Sequence, residues 1–232
     1  MVSTETVNKY SVLMSVWYKE KAENLKESIN SIWNQTVPTD DFVLICNGKL
    51  TEELDAVVEE TKRPEMQIIR FEENIGHGGA LSEGLKRCKH ELVARMDSDD
   101  ISRPDRCERQ LAVFSANPKI SMCSGTVEEF SESPDKVEAR RVLPEKHEDI
   151  LKFCKRRNPF NHPCIMYKKT AVEKAGGYQN FYLLDDYYLW IRMLQSGAIG
   201  YNIQEPLLWM RGGADMYKRR SSPEYAKSQK AL

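Results

Sequence analysis

No stretch of this sequence approaches the roughly 20 consecutive apolar residues that a membrane-spanning helix needs. The opening MVSTETVNKYSVLMSVWYKE also lacks the basic start and apolar run of a secretory signal. An excess of one charge is missing too: 34 Lys and Arg against 35 Asp and Glu leave a formal net charge of −1. That balance excludes the strongly basic footprint of a protein whose main partner is nucleic acid. The six cysteines (Cys46, Cys88, Cys107, Cys123, Cys154 and Cys164) form no C-x-x-C pair, so the paired ligands of a structural zinc site are lacking. Several of them sit within apolar runs such as VLICN and ISMCSG, which reads as buried reduced thiols in a reducing compartment. Repeats and low-complexity tracts are absent. What remains is a globular, cytoplasmic protein of 232 residues, long enough for one large domain or two tightly joined halves around a substantial core.

The first half alternates two periodicities. Apolar, β-rich runs lie at 10–16, 42–46, 66–71, 91–96 and 120–125. Between them stand helix-like segments: EKAENLKESINSIWNQT, with Leu25, Ile29, Ile32 and Trp33 on one face, then TEELDAVVEE behind a capping Thr51, GGALSEGLKRC, and RPDRCERQLAVFSAN with Pro104 near its start. Strict alternation implies an α/β fold with a mostly parallel, Rossmann-like sheet and helices on both faces. Ligands of such sheets bind beyond the carboxyl ends of the strands. Asn47, Asn74 and the acidic run Asp97-Ser98-Asp99-Asp100 all follow strand ends, so three polar loops are expected to converge on one rim. After residue 125 the pattern changes. The segment VEARRVLPEKHEDILKFCKRR is highly charged and reads as solvated surface, HPCIMYKK has a strand-like centre, TAVEKAGG and DDYYLWIRMLQSG are helical, and GYNIQEPLLWMR suggests two short strands around Pro206. The expected division is a ligand-binding first half over 1–125, a second half over 126–215 and a basic tail over 216–232.

Three carboxylates in four residues need a counter-charge. One reading is a helix cap, with Ser102 ahead of the helix near Arg103 and Pro104; it accounts for one residue and leaves the carboxylates unexplained. The other is a divalent cation. An oxygen-rich, sulfur-free set suits a hard ion such as Mg²⁺ or Mn²⁺, which uses one or two carboxylates and completes its shell with water and substrate phosphates. Arg95 and Arg103 flank the cluster and could pair with it.

Taken in order, SVLMSVWYKEKAENLKESINSIWNQT, NIGHGGALSEGL, ARMDSDDISRPDR, NPFNHPCIMYKKTAVEKAGGY and LLDDYYLWIRML closely resemble the family 2 glycosyltransferases of GT-A fold, in particular bacterial enzymes that build capsular, exopolysaccharide or O-antigen chains. The resemblance implies an inverting, metal-dependent hexosyl transfer from a UDP- or dTDP-sugar, with Asp97-Ser98-Asp99 as the D-x-D signature. Asp99 would hold Mn²⁺ or Mg²⁺ against the donor diphosphate, Asp97 would contact the ribose or the water shell of the metal, and Asp100 would support both. Asp186 falls on the position of the general base. Asp185, which stands where relatives often carry Glu, is a candidate on the acceptor side, and a helix cap is the alternative role for Asp185 or Asp186. Val16, Trp17 and Tyr18 would wall the nucleobase, although core packing also accounts for Trp17. Asn74 and Gly76 would border the nucleotide. Asn47 departs from the usual Asp, which accepts from N3–H of a pyrimidine; Asn keeps a carbonyl acceptor but adds a donor and loses the charge. His162 is a candidate for binding metal, diphosphate or acceptor, with a structural role as the alternative, whereas His77 reads as incidental.

The resemblance further implies a nucleotide-sugar donor and a saccharide or lipid-linked saccharide acceptor. Such relatives commonly continue further at the C-terminus. Basic residues toward the C-terminus (Arg211, Arg219, Arg220) could reach a diphosphate or the anionic inner face of the membrane, where each Lys or Arg contributes roughly 1 kcal/mol, or simply lie in a solvated tail. The acceptor cannot be read, since 126–160 carries no specific motif. Two other classes compete: a nucleotidyltransferase, which would want a glycine-rich loop with a basic residue near the N-terminus that SVWYKEK does not supply, and a non-catalytic nucleotide-sugar-binding relative.

Overall fold

The computed structural model describes residues 9–212 and 222–232. Arg219 and Arg220 lie outside them. Nine strands form one sheet: β1 (Tyr10–Val16), β2 (Phe42–Cys46), β3 (Met66–Arg70), β4 (Leu92–Asp97), β5 (Ile101–Ser102), β6 (Ile120–Phe130), β7 (Ala139–Arg141), β8 (Met166–Lys168) and β9 (Ile199–Arg211). The helices are α1 (Ala22–Trp33), α2 (Glu52–Thr61), α3 (His77–Arg87), α4 (Arg106–Ala116), α5 (His147–Cys154), α6 (Lys169–Lys174), α7 (Asp185–Gln195) and α8 (Pro223–Ala231). The strand order is β3-β2-β1-β4-β8-β6-β9-β5, with β7 on the side of β6. The first four of that order are parallel, β8 inserts antiparallel between β4 and β6, and β9 runs parallel to β6.

Period-two alternation along β1 sorts the core onto both faces of the sheet. Val12 and Met14 point to one side, where they pack with Leu25 and Ile29 of α1 and Leu111 of α4. Leu13 points to the other, with Leu81 and Leu85 of α3 and Trp190 of α7. Each such side chain contributes about 1.5–3 kcal/mol on full burial. Helix α3 lies close against the strands because it carries Gly84: a Cβ there would stand 2.4 Å from Leu13 Cδ1 and 2.9 Å from Ile45 Cγ1. Thr51 caps α2 as expected, accepting from Leu54 N at 3.3 Å. All six cysteines are buried free thiols, and among the described residues no helix is long and apolar enough to cross a membrane.

Three local expectations are corrected. The run 199–211 is one strand, not two. Residues 204 and 205 bulge out of the ladder, since Ile203 faces Gly125 and Pro206 already faces Thr126; Pro206, which has no N–H to give, is tolerated at such an irregularity. Ser102 is not a helix cap. It lies in β5, donates its N–H to Ser31 Oγ (3.0 Å) and receives Gln35 Nε2 on its hydroxyl (3.1 Å), while Asp105 precedes α4 without a side-chain cap bond. The segment after 125 is more structured than its charge suggests: β6 continues to Phe130, and α5 buries Ile150 and Cys154.

Candidate active site

Register brings the C-terminal ends of the parallel strands together. Ser15 of β1 pairs with Asp97 at the end of β4, and Val16 pairs with Cys46, so Asn47 begins the next loop along. Asn47 is buried and spans to the loop after β3: its Oδ1 accepts from Ile75 N (2.9 Å), while its Nδ2 donates to Gly76 O (3.2 Å). Asn74 Oδ1 caps the same turn on Gly76 N at 2.9 Å. Gly76 adopts φ +83, a left-handed conformation that suits glycine. From the far half, Asn180 clamps this loop, donating to Ile75 O (3.1 Å) and accepting from Gly79 N (2.9 Å).

Beyond β1, Val16 is buried, whereas Trp17 and Tyr18 are 39% and 50% exposed. Trp17 is therefore not core. The two rings meet edge to face at 5.6 Å, with the Lys19 ammonium over both, leaving an aromatic wall open to solvent beside the carboxylates.

Asp97, Asp99 and Asp100 each offer a carboxylate oxygen, and these oxygens lie within 4.8 Å of one another. The loop is held from several directions. Ser28 Oγ of α1 donates to Asp97 O (2.7 Å), and Ser98 Oγ donates to Glu20 Oε2 (3.1 Å). From β9, Arg211 donates N–H to Asp100 Oδ1 (2.7 Å) and Nε to Asp99 O (2.9 Å), and its Nη2 pairs with Glu27. Arg211 is thus part of the framework of the acidic loop and not solvated tail. Arg103 does not pair with the cluster; it pairs with Glu128 and stacks 4.2 Å over Trp209.

Arg95 does pair with the cluster. It lies two residues before Asp97 on the same face of β4, is 1% exposed, and places Nη2 on Asp97 Oδ1 and 2.9 Å from His77 Nε2. Guanidinium can only donate, so His77 Nε2 is the acceptor and Nδ1, the other ring nitrogen, carries the proton. That nitrogen faces Asp185 Oδ2 at 3.5 Å. Nε and Nη1 of Arg95 are buried without a partner among the described residues.

One cation cannot satisfy three carboxylates. Burial opposes ionisation of Asp97, but the Arg95 guanidinium beside it holds its carboxyl below the usual range. Asp99 is pushed up to about 7 by burial and by the neighbouring charges of Asp97 and Glu20. Asp100 is raised well above the ordinary value by burial and by Asp99 and Asp97. Oxygen donors at close quarters with too little positive charge fit a hard divalent cation.

Helix α7 carries the second acidic group. Asp185 does not cap it: Leu184 holds the cap position without a side-chain bond, and Asp185, in the first turn, accepts from Phe181 N. The turn before it is strained at Leu183, the single non-glycine residue with positive φ (61°) among the described residues. Asp186 Oδ2 accepts from Asn158 Nδ2 at 2.6 Å. Burial raises the Asp186 carboxyl, opposed by hydrogen bonds from the Tyr187 backbone and Asn158 and by the nearby Arg95 charge. His162 packs among His77, Tyr178 and Trp190, with Nε2 3.3 Å from the Tyr178 hydroxyl. Burial, with the Arg95 charge near it, pushes its imidazole well below the usual histidine range.

The structure therefore gathers Asp97, Asp99, Asp100, Arg95, His77, His162, Asp185 and Asp186 around one edge of the sheet. Sequence reasoning missed Glu20, Asn158 and Asn180, and set His77 aside. The available signal was Arg95-x-Asp97: a period of two puts a charge pair on the face of β4 that α3 covers, and α3 begins at His77.

The profile of the family described as "Glycosyl transferase family 2" matches residues 11–176. The amylovoran biosynthesis glycosyltransferase AmsE of Erwinia amylovora is 38% identical over 224 residues, 96% of this chain and 84% of its own. A UDP-Gal:alpha-D-GlcNAc-diphosphoundecaprenol beta-1,3-galactosyltransferase of Escherichia coli is 40% identical over 222 residues, 95% of this chain and 80% of its own. Among solved structures, S. aureus TarS 1–349 in complex with UDP-GlcNAc superposes with a TM-score of 0.72 at 16% identity, over 95% of this chain and 64% of that one. The mannosyltransferase PcManGT from Pyrobaculum calidifontis, in complex with GDP-Man and Mn²⁺, superposes with a TM-score of 0.66 at 16% identity, over 91% and 59%. At that identity the superpositions establish the fold, and this chain spans less than two thirds of either structure.

Proposed function

Since the chain belongs to glycosyl transferase family 2 and has the GT-A fold, we propose that it is an inverting, metal-dependent glycosyltransferase of polysaccharide biosynthesis that uses a UDP- or dTDP-sugar. The observation that carries this reading is the cluster of three carboxylates within 4.8 Å, set in one site with a half-buried Asp186 whose carboxyl is raised. In this reading Asp99, with Asp97, holds Mn²⁺ or Mg²⁺, and Asp100 braces the loop through Arg211. A bound divalent cation supplies positive charge to the diphosphate oxygens as the leaving group departs.

The remaining roles belong to the chain. Trp17 and Tyr18, with Val16 behind them, flank the nucleobase; Asn47, Asn74 and Gly76 shape the loop on its other side. Asp186 takes the proton of the acceptor hydroxyl as that oxygen attacks the anomeric carbon from the face opposite the diphosphate. A new C–O bond forms, the bond to the diphosphate breaks, and the sugar is inverted at that carbon. Such general-base help is worth a factor of about 10² to 10⁴. His77 links Asp185 to Arg95 and aligns the start of α7 with the metal end of the site, while neutral His162 lines the acceptor side. The acceptor is a saccharide, in the lipid-diphosphate-linked form that the name of the E. coli relative describes, met by peripheral contact with the inner membrane face.

A thermal-shift panel tests the reading. Stabilisation by UDP or dTDP only when Mn²⁺ or Mg²⁺ is present supports it. An equal response to nucleoside triphosphates favours nucleotidyl transfer, and a lack of response to every nucleotide overturns the donor assignment.

A further inference from the structure

An acceptor linked through a diphosphate brings negative charge to within one sugar ring of the reacting hydroxyl, so the region around Asp186 has to supply positive charge that is not already spent. The Arg95 guanidinium does not meet that need, because its charge is paired with Asp97 and it is only 1% exposed. Elsewhere, a cavity of about 680 Å³ opens beside the C-terminal turn of α5, lined by Pro144, Phe153, one carboxylate (Asp149) and a run of cations. Lys152 is paired with Asp149 at 2.8 Å. Lys155, Arg156 and Arg157 are exposed, line the same cavity, and pair with no carboxylate among the described residues.

Two bonds tie this cavity to the base. Arg157 is followed directly by Asn158, whose Nδ2 lies 2.6 Å from Asp186 Oδ2; consecutive Cα atoms are about 3.8 Å apart. The next residue of α7, Tyr187, donates its hydroxyl to Cys154 O at the end of α5. Adjacent residues of one helix thus hold both ends of the segment 154–158. The opposite rim is fixed as well, because Asn202 Nδ2 donates to Pro144 O (2.7 Å) and to Pro159 O (3.0 Å).

We infer that this cavity receives the diphosphate of a lipid-diphosphate-linked acceptor, with Lys155, Arg156 and Arg157 on its phosphate oxygens and Phe153 and Pro144 against the start of the hydrocarbon chain. The inference rests on the glycosyltransferase reading above and assigns that reading its acceptor subsite. Arginine suits the task, since its forked donors match phosphate geometry. The mixture of unpaired cations and apolar lining matches a ligand that is anionic at one end and greasy at the other. The cavity volume lies in the range of small-ligand sites.

The test uses the full chain carrying Lys155→Gln, Arg156→Gln and Arg157→Gln together, and two water-soluble acceptors: an N-acetylglucosaminyl diphosphate on a short alkyl chain, and the same sugar as a simple alkyl glycoside. KM for the diphosphate acceptor is expected to rise about tenfold or more, with KM for the donor and for the glycoside unchanged. Calorimetric titration of the diphosphate acceptor without donor should weaken by the same factor. No change, or an equal loss with both acceptors, overturns the inference. So does a variant that stops sedimenting with phosphatidylglycerol vesicles yet keeps its KM for the soluble diphosphate acceptor, because the cations would then serve the bilayer. A wild-type protein that binds the diphosphate acceptor but transfers nothing to it sinks the glycosyltransferase reading and leaves the site standing. Normal transfer by the triple variant sinks the site alone.

Discussion

Asn158 Nδ2 donates to Asp186 Oδ2 at 2.6 Å, so the residue proposed as general base is steadied by a neutral amide and not by a cation. A cation there would hold the carboxyl low and make it a poor base; burial raises it, and the amide moderates the rise. The base has to be ionised to accept a proton, so activity is lost as pH falls through the raised value. The acid limb of kcat is therefore expected above the ordinary carboxylate range. Asn158→Ala removes a bond that favours the ionised form and should move that limb to higher pH, costing about tenfold in kcat at neutral pH with partial recovery in more alkaline buffer. A pH–rate profile checks this, and a variant with an unmoved limb counts against Asp186 as the base. Asp186→Asn should abolish transfer and leave nucleotide binding nearly intact.

Asp99→Asn separates stability from binding. The raised Asp99 carboxyl disfavours the folded state increasingly as pH rises from the ordinary carboxylate range to about 7, where the unfolded chain has already released the proton that the folded chain still holds. Removing that carboxyl should stabilise the metal-free protein at neutral pH by about 1 kcal/mol, as substitutions at strained functional sites commonly do. The same variant should lose the Mn²⁺-dependent stabilisation by UDP. Paired melting curves with and without ligand check both signs; a variant less stable than the parent in metal-free buffer contradicts the repulsion argument.

Local chemistry explains what could be read before the structure. Strand ends, the Thr51 cap and the D-x-D run are written in neighbouring residues, and they recur where expected. Contacts across the fold were not written there. His77 meets Arg95 and Asp185 only once α3 and α7 lie on the same face of β4, and Asn180 reaches Ile75 across more than a hundred residues. Arg103 looked like a partner for the acidic loop because it is close in sequence, yet β5 turns it toward Glu128 on β6. Pro206 suggested a break between strands because bulges have no strong local signature, and β9 absorbs it by leaving residues 204, 205 and 207 out of the ladder.

Arg95 is the fully buried cation on which the acidic loop depends. Replacing it with methionine keeps the volume roughly constant but strips Asp97 of its partner and leaves a carboxylate at the end of β4 without compensation. Removal of one partner from a fully buried pair costs about 3–5 kcal/mol, and solvent reaching Asp97, whose side chain is 34% exposed, reduces that to about 1–3 kcal/mol. Chemical denaturation of Arg95→Met should show a loss of about that size, and a double variant that also carries Asp97→Asn should recover part of it. Equal stability of the single and double variants would mean that the pair is not coupled.

Asn47 is engaged on both sides of its amide, accepting from Ile75 N and donating to Gly76 O. Its structural duty is therefore to fix the loop between β3 and α3, and in the proposed donor site direct discrimination among bases is secondary. Asn47→Ala deletes both bonds and leaves the Ile75 N–H without its acceptor, a cost of about 1–3 kcal/mol in loop order. Donor KM is expected to rise about tenfold, and UDP and dTDP should weaken together because both depend on the same loop. Asn47→Asp keeps the acceptor for Ile75 N but sets a charge against the Gly76 carbonyl and Asn74 Oδ1, which now receive the amide protons. It should lower stability by about 1 kcal/mol. Nucleotide titrations of both variants check this: a selective loss of uracil over thymine nucleotides in Asn47→Ala would show that the side chain reads the base directly.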